Sequence, residues 1–218
     1  MRKTLLSFRY YLKPFATVLI LVGLCCSCKK DRLGLVEETA ERIEGTYDLV
    51  AIVWEGEPLD VNNDGEASKD LFAELMSLPT NAGNKHQAIV LSLSSDRSTG
   101  AVGMDLPMQN VGVTPDGRYP TAWMIGNLLS VNISYQIDSN GIVSVDSFDS
   151  MNLPEDDSRV EMKRMHKGTV SFDYNGKMTF RVGYTLYDHQ TGQLVDGIIH
   201  YIFDRLIVLD KHFLGTAF

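Results

Sequence analysis

Beyond position 28 the chain has no cysteine: Cys25, Cys26 and Cys28 are its three, and 190 residues follow without another. A disulfide framework, a thiolate metal site and a catalytic cysteine are therefore excluded from the body of the protein. Long apolar runs are missing too. The longest, Phe15 to Cys26, has 12 residues, whereas crossing a bilayer takes about 20. Positive charge is scarce, with 20 basic residues against 28 acidic. Four of the cations (Arg2, Lys3, Arg9, Lys13) lie in the first thirteen positions, where there is no acid. From Cys28 onward 16 basic residues face 28 acidic ones, a net charge of −12. Such a body repels phosphate backbones, so nucleic acid is not an expected partner. Catalytic signatures are equally lacking. There is no GxSxG elbow, no GxGxxG fingerprint and no phosphate-binding GxxxxGKS/T. The five histidines (His86, His166, His189, His200, His212) are far apart and show no zinc spacing. His200, on a strand rich in Ile, Tyr and Phe, reads as a satisfied barrel histidine rather than a general base. The expectation is a protein that is not an enzyme.

What the chain does have is an address. A basic segment followed by a short apolar run is a secretory signal peptide, here over residues 1–27. Cys28, preceded by the small Ser27, resembles the lipobox cysteine of bacterial lipoproteins, which is acylated and becomes N-terminal; Cys26 is the alternative. In such lipoproteins a residue other than Asp after the cysteine implies sorting to the outer membrane, and Lys29 stands there. Two or three acyl chains anchor stably where one does not. The expected location is the outer membrane of a Gram-negative bacterium, with the membrane a partner through the lipid.

Residues 28–44 read as a lipid-anchored tether and a brief helix, with Val36, Ala40 and Ile43 on one face and Gly45 as its stop. At 218 residues the chain has room for one large domain, placed at 45–218. There the pattern has period two. Thr46 to Glu55 is a strand with Tyr47, Leu49, Ala51 and Val53 on one face. Gln87–Ser95 and Thr99–Leu106 make a hairpin, and Leu129 to Ile137 alternates cleanly. Asn140–Gly141 turns into Ile142–Phe148, and Asn175–Gly176 joins Gly168–Tyr174 to Lys177–Tyr187. Gln193 to Arg205 is the last strand, presenting Val195, Ile199, Tyr201 and Phe203. One helix, Ser68 to Leu78, follows the first strand, with Ser68 as its cap and Leu71, Phe72, Leu75 and Met76 on one face. The fold expected is all-β: an eight-stranded, mostly antiparallel up-and-down barrel with one short helix after the first strand.

Two loops are long enough to be functional or disordered. Pro107 to Asn127 carries Met108, Tyr119, Trp123 and Met124, which either pack over a barrel mouth or touch a ligand. Asp149 to Lys167 holds an acidic cluster before a basic one, and reads as solvated. A third feature is Asp60-Val-Asn62-Asn-Asp64-Gly65-Glu66, whose alternating oxygen ligands before a glycine match the first half of an EF-hand calcium loop. Leu71 occupies the place of the bidentate glutamate. The set expected to hold calcium is Asp60, Asn62 and Asp64, the Glu66 carbonyl, and a carboxylate from Asp70 or Glu74. An ion-free turn rich in Asn and Asp is the alternative.

The strand opening Gly45-Thr46-Tyr47, the Trp54 near its end, and the segment DVNNDGEASKDLFAEL together resemble the lipocalin-like lipoproteins of Gram-negative bacteria. Tyr47 stands where the lipocalin G-x-W pattern has Trp. The resemblance implies a barrel that binds something small and apolar. The function expected of this chain is to hold one small hydrophobic or amphipathic molecule, with Trp123, Met108 and Met124 of the Pro107–Asn127 loop at the mouth. The alternative is a structural or interaction module whose barrel is filled by its own side chains.

Overall fold

The computed structural model describes residues 34–79, 81–110, 125–148 and 166–206. A helix, α1, covers 34–43 and buries Val36, Ala40 and Ile43, the face that the sequence spacing marks. The first strand, β1 (Gly45–Glu55), follows it. Then come helix α2 (Leu71–Ser77), β2 (Gln87–Ser92), β3 (Thr99–Asn110) and β4 (Ile125–Ile137). The chain continues through β5 (Val143–Val145), β6 (His166–Phe172), β7 (Met178–Asp188) and β8 (Gln193–Arg205). No helix among the described residues is long and apolar enough to cross a membrane.

The eight strands form one sheet in the order β5-β4-β3-β2-β1-β8-β7-β6, every neighbouring pair antiparallel. Because β1 pairs with both β2 and β8, the meander rolls up. Its two edges meet where Phe148 and Gly168 exchange backbone hydrogen bonds of 2.8 Å. The result is an up-and-down barrel with a narrow seam, as the turn spacing predicts. Gly168 makes the seam possible, since a Cβ there would lie 2.7 Å from the Phe180 ring.

Two expectations need correction. Strict alternation puts Ala51 and Val53 inside, but the register with β8 shifts between Leu49 and Ala51. That bulge takes up Val50 and inverts the faces beyond it. Ile52 and Trp54 point into the barrel, while Val53 is exposed. Helix α2 starts at Leu71, capped by Asp70, which accepts from the Phe72 amide. Ser68 instead pairs with Leu59 in a two-way backbone bridge, which keeps the chain extended there. Pro79 holds Leu78 out of the helical region, at ψ 139°.

One end of the barrel, the α1 end, is closed by that helix. Glu44 pairs with Arg97 in the β2–β3 turn at 2.5 Å. The Thr39 hydroxyl donates to the Gly141 carbonyl, and Arg205 donates to the Arg42 carbonyl. Burial tends to raise the Glu44 carboxyl, but hydrogen bonds from Arg97 and Ser92 outweigh it and hold it ionised. The opposite end is bordered by α2, the Asp60 loop and the β7–β8 turn.

Candidate functional site

The barrel interior is lined by the inward faces of the strands. Val102, Met104 and Leu106 come from β3, Val131, Ile133 and Tyr135 from β4, and Phe180, Val182 and Tyr184 from β7. Ile199, Tyr201 and Phe203 come from β8, and Ile52 and Trp54 from β1. Two tyrosines cross this space. Tyr184 donates its hydroxyl to the Gln109 carbonyl at 2.6 Å, and Tyr201 donates to the Pro107 carbonyl at 3.1 Å. In the sheet order β3 is separated from β8 by two strands and from β7 by three, so both bonds span the interior. Burial pushes both phenols well above their ordinary range, which keeps them neutral donors.

Gln109 is the hub of this end. Its amide nitrogen donates to the carbonyls of Val61 and Tyr187, and its oxygen accepts from the Tyr187 amide at 2.7 Å. Asn81, just after α2, donates to the carbonyls of Leu75 and Met108. The outer part of β3 is thus tied to α2, to the Asp60 loop and to β7.

Trp54 lies in the same half of the barrel, with its ring over Gly197, where a Cβ would come within 2.4 Å of it. The residue is 2% exposed, and its indole N–H has no hydrogen-bond partner among the described residues. A buried donor left unpaired costs roughly 1–3 kcal/mol, so something that accepts a hydrogen bond is wanted there.

The Asp60 loop is built by its own side chains. Asp60 accepts from the amides of Asn63 at 2.7 Å and Gly65 at 3.0 Å. Its own amide donates to Asp188. Asn62 accepts from the Asp64 amide and donates to the Asp64 carboxylate, which also accepts from the Glu66 amide. From α2, buried Glu74 accepts the amides of Val61 and Asn62, both at 3.1 Å. The carboxylates of Asp60, Asp64 and Glu74 come within 4.8 Å of one another. Desolvation, aided by the charges of Asp64 and Asp60, raises the Glu74 carboxyl above its ordinary range.

Of the expected calcium ligands, the structure therefore gathers Asp60 and Asp64 with Glu74. Asn62 is beside them, its oxygen turned to the loop backbone. Glu66 is exposed, and Asp70 is occupied as the α2 cap. Met108, expected at the mouth, is half-buried on β3 against the core. Trp123, Met124 and Cys28 lie outside the described residues, as do the signal peptide and the loop segments around them. His200 is on the outer wall, not in the barrel, where its Nε2 meets Glu55 at 2.5 Å. The alternation of β8 puts it there, since Ile199 and Tyr201 on either side of it face inward.

Two clefts flank this half of the barrel. One of about 520 Å³ is bounded by Pro58, Leu59 and Ala67 on one side and by Asp188, Thr191 and Val195 on the other. A smaller one of about 210 Å³ lies under α2, lined by Leu49, Phe72, Met76, Lys85 and His86. His86 is 5% exposed, and burial depresses its pKa, so it presents a neutral ring. The sequence pattern marks neither Gln109 nor His86. A buried polar residue at the end of a strand carries no local signal, and only the crossing of β3 over the barrel end reveals it.

No family model matches the chain, and no curated protein sequence matches it. Among solved structures, lobster apocrustacyanin A1 is similar at 15% identity and a TM-score of 0.26, over 84% of this chain and 73% of that one. So loose a likeness carries no argument. The eight-stranded up-and-down barrel rests on the strand pairing itself.

Proposed function

We propose that this protein is a binding protein of the outer membrane, anchored through acylated Cys28. It holds one small hydrophobic or amphipathic molecule in its barrel and carries out no chemistry on it. The observation that supports this most is the buried indole N–H of Trp54, unpaired among the described residues, on a strand face that otherwise presents apolar side chains to the barrel. A barrel closed at the α1 end and lined with apolar side chains suits a ligand whose body is apolar and whose head accepts one hydrogen bond. Met108 borders the same half of the interior, and Trp123 and Met124 are the further contacts this reading assigns.

A second reading, a structural or interaction module with a filled barrel, is favoured by the Tyr184 and Tyr201 struts. Native mass spectrometry of the full chain, purified in mild detergent from its own cells, separates the two. A bound mass that Trp54→Phe weakens is the expected result. Apo-protein alone, in both parent and variant, overturns the binding reading in favour of the module. In either case Asp60, Asp64 and Glu74 are assigned to a calcium ion that clamps β1 to α2, supported by the proximity of three carboxylates.

A further inference from the structure

Among the described residues nine large apolar side chains are exposed. Val50, Val53, Ile89 and Leu91 lie on the outer wall of β1 and β2. The other five gather at the α1 end. Leu35 is in α1, Leu93 in the β2–β3 turn, Ile142 in the β4–β5 turn, Tyr174 in the β6–β7 turn, and Leu206 just past β8. The three turn residues are the most exposed of all nine, at 69%, 60% and 88%. Tyr174 stands at the tip of its turn, whereas Leu93 and Ile142 flank theirs, bonded across the hairpin to Thr99 and Asp138. Turn chemistry calls for Gly, Pro, Asn, Asp and Ser and does not account for three exposed apolar side chains around one rim. At the other end the Asp60 loop and the β7–β8 turn expose none of the nine.

We infer that this rim is a membrane-docking face, and that its partner is the lipid bilayer itself. The inference rests on the anchoring of Cys28 for its geometry. Five residues lie between Cys28 and Gly34, where α1 begins, and at about 3.5 Å per residue step the segment reaches no more than about 20 Å. Strand β1, of 11 residues, is about 36 Å long at 3.3 Å per residue. A barrel held on so short a tether turns its α1 end to the lipid and its other end away. Tyrosine is enriched at the headgroup level, which suits Tyr174.

The contact is apolar, not electrostatic. Three cations of this end are engaged, Arg97 with Glu44, Lys177 with Asp204 at 3.2 Å, and Arg205 with the Arg42 carbonyl. Arg42 itself stands among the exposed carboxylates of Glu37, Glu38 and Glu41 on α1. Zwitterionic lipid is therefore sufficient, and added salt leaves the contact unchanged.

The test uses the full chain reconstituted in phosphatidylcholine–phosphatidylethanolamine vesicles that carry a nitroxide lipid. Leu93→Cys, Ile142→Cys, Tyr174→Cys and, at the opposite end, Gln190→Cys each receive a fluorescent label, with the unsubstituted chain labelled in parallel as background. Loss of fluorescence at the three rim positions, absent at Gln190 and insensitive to salt, is expected. No loss at the rim overturns the inference, and so does burial of the same labels without vesicles, which identifies a second copy or the chain beyond Leu206 as the occupant. Uptake of labelled fatty acid by the same cells reports the anchor separately. An acylated chain with unquenched rim labels refutes the docking face and leaves the anchor standing. Quenched labels on a chain without fatty acid refute the anchor and leave the docking face.

Discussion

The hydroxyl of Tyr184, on β7, donates across the barrel to the carbonyl of Gln109, on β3, at 2.6 Å. Because β2, β1 and β8 lie between these strands in the sheet, this single bond braces opposite walls. Phenylalanine in its place keeps the ring and leaves the carbonyl without its donor. Tyr184→Phe is expected to lower stability by about 1–2 kcal/mol, the ordinary cost of stranding a buried acceptor. Urea denaturation of the purified protein measures it. A variant as stable as the parent would show that the bond braces nothing.

The bulge at Val50 makes the next prediction. Strand alternation from Tyr47 marks Val53 as core, whereas the structure buries Ile52 completely and leaves Val53 37% exposed. Ile52→Ala is expected to cost about 2–5 kcal/mol, and Val53→Ala no more than about 0.5–1 kcal/mol. Equal losses in the two variants would mean that β1 runs without the bulge.

That contrast shows what local pattern can carry. The alternation of Val131, Ile133, Tyr135 and Ile137 is legible because one face of β4 meets the core and the other meets water. The turns at Asn140–Gly141 and Asn175–Gly176 are legible because Gly141 and Gly176 adopt positive φ, which glycine does without strain. A bulge leaves no such trace, since Val50, Ala51, Ile52 and Val53 are all apolar and either phase reads as a strand. The site is less legible than the fold. Spacing gathers Asp60 and Asp64 within one loop, but Glu74 joins them only through the packing of α2, and Asp70, closer in sequence, is diverted to the helix cap. Trp54 is visible as a residue, yet the burial of its N–H without a partner among the described residues is a property of the folded barrel.

Glu74 carries a prediction about pH. Its folded pKa is raised, first by desolvation and then by the charges of Asp64 and Asp60, so its ionised form is disfavoured in the folded state. The group therefore costs nothing below the unfolded value, about 4.5, and weakens the fold as pH rises through the folded value. Glu74→Gln removes the charge and retains an oxygen for the amides of Val61 and Asn62. In chelator the variant is expected to exceed the parent in urea midpoint at pH 7 and to lose that advantage at pH 4. The same difference at both pH values would remove the electrostatic account.

Calcium should reverse that order. With the ion present Glu74 becomes a ligand beside Asp60 and Asp64, and the repulsion among three carboxylates within 4.8 Å turns into a shared attraction. The loop lacks the bidentate glutamate of an EF-hand, because Leu71 stands at that position, so affinity belongs with extracellular modules at about 10⁻⁴–10⁻³ M. At a few millimolar calcium the stabilisation is about 1–2 kcal/mol by mass action, or a few degrees in melting temperature for a chain of this size. Asp60→Ala with Asp64→Ala is expected to abolish the difference between calcium and chelator. Its absolute melting temperature is not the readout, since Asp60 also holds the amides of Asn63 and Gly65 and its loss weakens the loop in any buffer. Glu74→Gln, more stable than the parent in chelator at pH 7, should respond less to calcium and fall behind it. Identical melting of the parent in calcium and in chelator sinks the calcium assignment and leaves the loop as a turn held by its own hydrogen bonds.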